Sequence, residues 1–389
     1  MTRARVLVVK RSNLAFDVRL QRIAVALSEK FQVTIAGIHS WDESKLEQTV
    51  IPDFNFAPLP LPLRVVRKVR REITFRLQKP DDFEGRFGRD RWISKMSAFI
   101  RSKNFDLIIA CDIDAIAAAC TANSNAILVG DMHEHAPTEL ANHPGWLEAV
   151  GVYKEWMCRE FLPQTNANFT VSESLAESFA QNFSIPKPSV YRNVVPYFPR
   201  IKEFNGQAPQ HFIHHGIAAK TRRLEEHASL ANELRDPYSV SMMLQPVETI
   251  YYKTLNDFSN VIPNFHIVPP VKPGAIVESL VKYDAGLYLL KPETEQLRVT
   301  LPNKFFEFVQ ARLPVFSAGM PEVDALIRKY EIGLPLGSYH GREAAKVILE
   351  NRDLDWPRIH KNLDEAAHDL SLENEIKVFK LKIEELLSI

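Results

Sequence analysis

The sequence predicts an α/β protein with two parallel sheets, and three observations predict it. Short, near-continuous apolar runs rich in β-branched residues, such as RVLVVK at Arg5–Lys10, alternate with amphipathic helical stretches, the pattern of strands buried on both faces. That pattern halts in a proline-rich stretch near residues 196–210 and begins again at His211. Finally, 389 residues exceed one ordinary core, so two domains are expected.

Composition narrows the class. Hydrophobic content of 46% and charged content of 25% are those of a soluble globular protein. Lys+Arg and Asp+Glu balance at 48 each, which argues against a polyanionic partner and against nucleic acid. The three cysteines, Cys111, Cys120 and Cys158, are odd in number and lack zinc spacing, so reduced, buried thiols are expected. The N-terminal apolar run is too short for a signal peptide, and no stretch of about 18 apolar residues offers a membrane span. The expected location is the cytoplasm.

Residues 5–10, then a helix over 17–30, then a strand over 31–37 make a βαβ opening with a right-handed crossover. No G-x-G-x-x-G follows the first strand, which disfavours a nicotinamide or flavin enzyme. Asn13, Asp17 and Arg19 form a polar patch beside the first helix. After PLPLPL at 58–63 comes RVVRKVRREITFRLQK at 64–79. Arg64, Arg67, Lys68, Arg70, Arg71, Arg76 and Lys79 are interleaved there with apolar residues. Such a basic amphipathic helix reads as a surface for anionic lipid headgroups, or as a solvated helix whose apolar stripe packs on its own domain. Residues 82–89 read as a mobile loop and 92–101 as a helix. Strands at 105–110 and 126–130 flank a small-residue helix, and the second strand runs into Asp131-Met132-His133-Glu134-His135. Polar groups at the carboxyl end of a parallel strand occupy the ligand-binding edge of the sheet. A metal site at His133 and His135 lacks a third ligand nearby.

The second half opens with a strand at 211–215, then Gly216, then a basic loop and helix start with Lys220, Arg222 and Arg223. A glycine lets the backbone come close to a ligand, and a helix N-terminus with cations suits a phosphate; a solvated basic helix end is the alternative. Residues 285–290 form another strand, and LPNKFFEFVQARLPVFSAGMPEVDALIRKYEIGL at 301–334 reads as helix, strand, helix, strand. Asn303 is expected as N-cap, with Thr300 as rival. Glu307 is expected in the first turn, set to bond a ribose diol or to complement the helix dipole. A long amphipathic helix at 372–387 ends the chain.

Asn-Lys-Phe-Phe-Glu-Phe, then Leu-Pro-Val, then Ile-Gly-Leu in this stretch resembles the donor-nucleotide motif of GT-B glycosyltransferases, above all the retaining family-four group. The resemblance covers nearly the whole chain. It implies two Rossmann-like domains facing a cleft: an acceptor-side domain at 1–196, a linker at 197–210, a nucleotide-sugar domain at 211–371, and a helix at 372–389 crossing back. It implies transfer of a sugar from a nucleoside-diphosphate donor, a co-substrate needing no cofactor or metal, to the hydroxyl of a lipid-linked or polysaccharide glycan. His133 would contact the transferred sugar. Gly216, Lys220, Arg222, Arg223, Asn303, Lys304 and Glu307 would hold the donor. Asn13, Asp17, Arg19 and Glu134 would face the acceptor, and Arg64, Arg67, Lys68, Arg70 and Arg71 the inner membrane face. One departure stands out: the glutamate usual eight residues before Glu307 is Val299, so either Glu293 or Glu295 substitutes or the role is absent. A sugar-nucleotide epimerase, with Asp131 and Glu134 as acid and base, and a catalytically degenerate binding protein are the alternatives.

Overall fold

The structure is a computed structural model that describes residues 3–53, 82–141, 145–200 and 203–388, save the side chains of Glu295 and Gln296. The basic segment at 64–79, with Arg64, Arg67, Lys68, Arg70 and Arg71, lies outside the described residues. The chain divides into two compact units: Met1–Tyr191 with Val378–Ile389, and Arg192–Lys377.

In the first unit the strands are β1 (Arg5–Lys10), β2 (Gln32–Gly37), β3 (Glu47–Val50), β4 (Leu107–Cys111), β5 (Ile127–Met132), β6 (Ala167–Thr170) and β7 (Ser189–Val190). They form one sheet in the order β3-β2-β1-β4-β5-β6-β7, with every neighbouring pair parallel. Val6, Leu7, Val8 and Val9 are fully buried, as a doubly covered central strand requires. The helices are α1 (Val18–Ser28), α2 (Phe83–Gly88), α3 (Arg91–Arg101), α4 (Ile113–Ala122), α5 (Val152–Phe161) and α6 (Glu173–Phe183). The loop expected at 82–89 is instead helical. Asp82 caps α2 by accepting from the Gly85 amide at 2.9 Å, and Phe83 and Phe87 pack on Tyr153, Trp156 and Phe161. Aromatic packing of the half-buried Phe83 and Phe87 outweighs the two glycines in that short stretch.

The second unit repeats the design with β8 (His211–Ile217), β9 (Ser239–Gln245), β10 (Phe265–Val268), β11 (Ala285–Leu289), β12 (Val315–Ala318) and β13 (Gly333–Pro335). Their order is β10-β9-β8-β11-β12-β13, again all parallel. Its helices are α7 (Glu225–Leu234), α8 (Thr249–Ser259), α9 (Ile276–Leu280), α10 (Glu295–Val299), α11 (Asn303–Gln310), α12 (Pro321–Tyr330), α13 (Gly341–Glu350) and α14 (Trp356–Asp369), with the start of α15 (Leu372–Leu386) up to Lys377. The unit begins at Arg192, ahead of the proline-rich stretch, because Val194 is fully buried in its core and Arg192 is held by Glu375 at 2.8 Å. The final residues from Val378 group with the first unit, where Phe379 packs on Phe169 and Tyr191.

In each sheet the strand order reverses at one place, between β1 and β4 and between β8 and β11. The crevice outside the carboxyl ends of the strands at such a reversal is where open α/β sheets bind ligands. Among the described residues, no helix is long and apolar enough to cross a membrane.

Candidate functional site

At the β8/β11 reversal, His214 and His215 end the buried part of β8, and Gly216 follows. The His214 Nδ1–H donates to the Leu287 carbonyl at 3.1 Å, which leaves Nε2 as an acceptor, and the Lys304 amine lies 3.5 Å from it. Lys304 also sits 4.1 Å over the Tyr288 ring. Gly216 has φ +147°, and a Cβ there would come within 3.1 Å of Lys304 Nζ. The glycine therefore serves both the backbone conformation and the close approach of that amine.

Lys304 has no carboxylate within ion-pairing distance among the described residues. Burial pushes its ammonium down to about 7; the charge of Arg222 adds to the push, and Glu307 only partly opposes it. Burial and then Lys304 hold His215 down to about 3 and His227 to about 3, and push His214 well below its ordinary value as well. All three rings are thus neutral. The Glu307 carboxylate is nearly buried and lies 3.3 Å from His215 Nε2.

Three local expectations change. Pro302, not Asn303 or Thr300, occupies the N-cap of α11, because Thr300 is extended and closes α10. Asn303 is the first helical residue and accepts from Asn193 at 3.1 Å. Glu307 is consequently the fifth residue of α11 and lies in its second turn. The basic loop is a tight 3₁₀ turn, Lys220–Arg222, with Arg223 left-handed at φ +47°, and α7 starts only at Glu225. The tip of α7 carries Glu225 and Glu226, and the Tyr251 hydroxyl accepts from the Leu224 amide at 2.7 Å, so it presents no anion site. Arg223 is 3.4 Å from Glu293, and Lys220 is exposed. Gly216 and Lys304 come together, and the charges of Arg222 and Glu307 act on that amine, whereas Arg223 turns to Glu293. Val299 is buried at 4% exposure, and Glu293 is exposed and engaged by Lys291 and Arg223.

At the β1/β4 reversal of the first unit, the Lys10 amine ends β1 and meets Asp17 at 3.0 Å, Asp112 at 3.2 Å and His133 Nδ1 at 3.0 Å. Burial alone would push the Lys10 ammonium down, but Asp112 and Asp17 outweigh it and the net shift is upward. A charged amine only donates, so His133 Nδ1 accepts and its Nε2–H donates to Asp131 at 2.8 Å. Both ring nitrogens of His133 are therefore occupied by the chain itself. Arg19 is buried, grips Asp131 through bonds of 2.6 and 2.9 Å, and donates to the Tyr191 carbonyl. It supports the site from beneath and does not face an acceptor, a correction explained by its 5% exposure. Burial would raise Asp131, yet Arg19 and His133 hold it well below the usual carboxylate range. That removes Asp131 as a proton-exchanging acid for epimerisation.

Asp112 has φ 67° and ψ 161°, a region kept almost wholly for glycine, at a cost of about 1–3 kcal/mol. Its carboxylate, about a third exposed, is the most open of those around Lys10. The spacing Asp112-Ile113-Asp114 does not build a metal pair: Asp112 turns to Lys10, and Asp114 to Arg11 and Lys154. Cys111, Asp131 and His133 lie close enough together to be considered as ligands, but Arg19 saturates the carboxylate, and burial with Asp131 pushes the thiol up. Asp17 is the N-cap of α1, Asn13 accepts from the Ala15 amide, and Glu134 is exposed. Lys10, Asp112, His214, His215 and Tyr288 are not among the site residues expected from the sequence. One signal marks several of them: a polar residue ending, or just following, an otherwise apolar strand.

No protein-family model matches the sequence, and no curated protein matches it. Solved structures do. Sucrose-phosphate synthase from Thermosynechococcus elongatus is 10% identical with a TM-score of 0.71, covering 99% of this chain and 100% of that one. The lipopolysaccharide outer core galactosyltransferase WaaB in its apo form is 11% identical with a TM-score of 0.64, covering 98% and 99%. Anabaena HepE in complex with UDP and glucose is 12% identical with a TM-score of 0.66, covering 99% and 100%. At such identities the likeness is one of fold, and the fold of this chain is that of the GT-B glycosyltransferases.

Proposed function

We propose that the protein is a glycosyltransferase that moves a sugar from a nucleoside-diphosphate donor to an acceptor hydroxyl. One observation carries the reading: the Lys304 amine, beside Gly216 at the carboxyl edge of the second sheet, has no ion-pair partner among the described residues and feels the charge of Arg222. Two basic groups so placed call for an anion, and a diphosphate brings enough charge to hold both as cations. The buried Glu307 carboxylate supplies acceptors for a ribose diol. Similarity to HepE, solved with UDP and glucose, supports this donor class.

In this reading no side chain acts as a nucleophile. Arg222 and Lys304 stabilise the charge that develops on the departing diphosphate, an effect that is large when donors are held in place beforehand. His133, fixed between Lys10 and Asp131, offers the sugar its ring edge. The acceptor is a lipid-linked or polysaccharide glycan at a membrane face, a reading that rests on the basic segment at 64–79. The test is a screen of nucleotide sugars for release of nucleoside diphosphate, with and without membranes. Release that needs an acceptor fraction supports transfer. Buried Val299 favours a second reading, a degenerate binding protein, for which nucleotide would bind with no turnover on any donor.

A further inference from the structure

The reading of the Gly216 edge as a diphosphate site leaves the packing of Lys304 unexplained. An amine meant only as a fixed positive charge is normally given a carboxylate, as Lys10 is in the first unit. Around Lys304, β8 presents His214 and His215, α7 presents His227, and β11 presents the face of Tyr288. The turn before α7 adds the cation Arg222, and Glu307 on its own helix is the one acidic group acting on it. His214 offers a lone pair toward Lys304, since its Nδ1–H is committed to the Leu287 carbonyl. The Tyr288 face and the His214 lone pair serve this half-buried amine in either charge state. With no carboxylate at ion-pairing distance among the described residues and the charge of Arg222 acting on it, the ammonium is left under-compensated.

We propose that Lys304 is a proton-coupled clamp: in the protein alone it stands as an uncharged amine against His214, and it takes a proton from solvent as a nucleoside diphosphate enters. This rests on the diphosphate reading and adds the charge state of the residue that closes on it. The step is balanced by one proton gained by Nζ for each nucleotide bound. Its ordinary basicity, suppressed to about 7 by burial and Arg222, is restored by the anion's charge. Above that pH, affinity should therefore fall up to tenfold per pH unit, until the amine's pKa in the complex is passed.

The experiment is titration calorimetry of the full chain with UDP, GDP and ADP at pH 8, where free diphosphate has already lost its last proton. Paired buffers of different ionisation enthalpy count the protons. The expected result at pH 8 is a buffer-dependent heat corresponding to about one proton taken up per nucleotide, an excess over Lys304→Arg that shrinks toward zero near pH 5.5. Lys304→Arg, permanently charged, should bind without uptake, and Lys304→Met should lose uptake and bind at least tenfold more weakly. Tight binding with buffer-independent heat overturns the clamp and spares the diphosphate reading. Uptake that persists in Lys304→Met assigns the proton elsewhere and also overturns it. No binding of any of the three nucleotides sinks both.

Discussion

Arg19→Met tests whether the first unit depends on its buried ion pair. The substitution keeps the aliphatic stem but removes two bonds to Asp131 and one to the Tyr191 carbonyl. Asp131, with no exposed surface, would keep only His133 and the weak Cys111 thiol as partners. Breaking a buried pair from one side costs about 3–5 kcal/mol, because the remaining charge is stranded. For a unit of about 200 residues each kcal/mol moves the midpoint by about 2–4 °C, so a drop of about 6–20 °C is expected. Four of the five tryptophans, Trp41, Trp92, Trp146 and Trp156, belong to the first unit, so thermal unfolding followed by fluorescence reports mainly on it. In the native protein the carboxyl is held low, so its contribution is complete above the unfolded value near 4 and is lost only as pH falls below it. In the variant the stranded carboxyl is raised, and lowering the pH toward 5 should narrow the deficit. Arg19→Met with Asp131→Leu should recover most of the loss, since replacing both members of a buried pair with apolar residues is often neutral. A single-variant loss below about 1 kcal/mol, or a double variant no better than the single, would refute the reasoning.

Other outcomes are expected at the two sheet edges. Glu307→Gln should weaken nucleoside-diphosphate binding by about 1–3 kcal/mol, as one acceptor becomes a misplaced donor; unchanged affinity by calorimetry removes Glu307 from the site. His133→Ala should lower turnover far more than it weakens donor binding, and equal effects on both would assign it to nucleotide binding. Replacing Arg67, Lys68, Arg70 and Arg71 with Gln should abolish salt-sensitive flotation with anionic vesicles and leave nucleotide binding intact, each cation contributing about 1 kcal/mol at the surface. Equal flotation of that variant would make the segment an ordinary solvated helix.

The two-sheet plan was legible because a parallel strand covered on both faces must be apolar along its length, as RVLVVK and AGLYLL are. The NKFFEF helix was legible for a similar reason, with Phe305, Phe308 and Val309 recurring at helical spacing. What escaped was local geometry. Pro302 takes the cap position expected for Asn303, since caps are decided by a single residue's backbone angles. The charge state of Lys304 is invisible in the sequence, because it depends on burial and on Arg222, which acts on it from the turn before α7. Arg19 looked like a solvent-facing patch because its partner, Asp131, lies 112 positions away. Residues that end strands were readable in principle; those defined by a distant partner were not.

The assignment of Val378–Ile389 to the first unit bears on the order of events during synthesis. The second unit is an unbroken run of chain, so every residue it needs is translated before Val378–Ile389. The first unit, although translated first, still lacks Phe379 and Ile383, both fully buried in the finished protein. Its sheet can assemble early, but the hydrophobic face against Phe169 and Tyr191 stays open until the final segment arrives. Domains commonly mature from the N-terminus onward as they emerge. Here the first to be born is the last to close, and a nascent chain stalled at residue 377 should expose that face to chaperones.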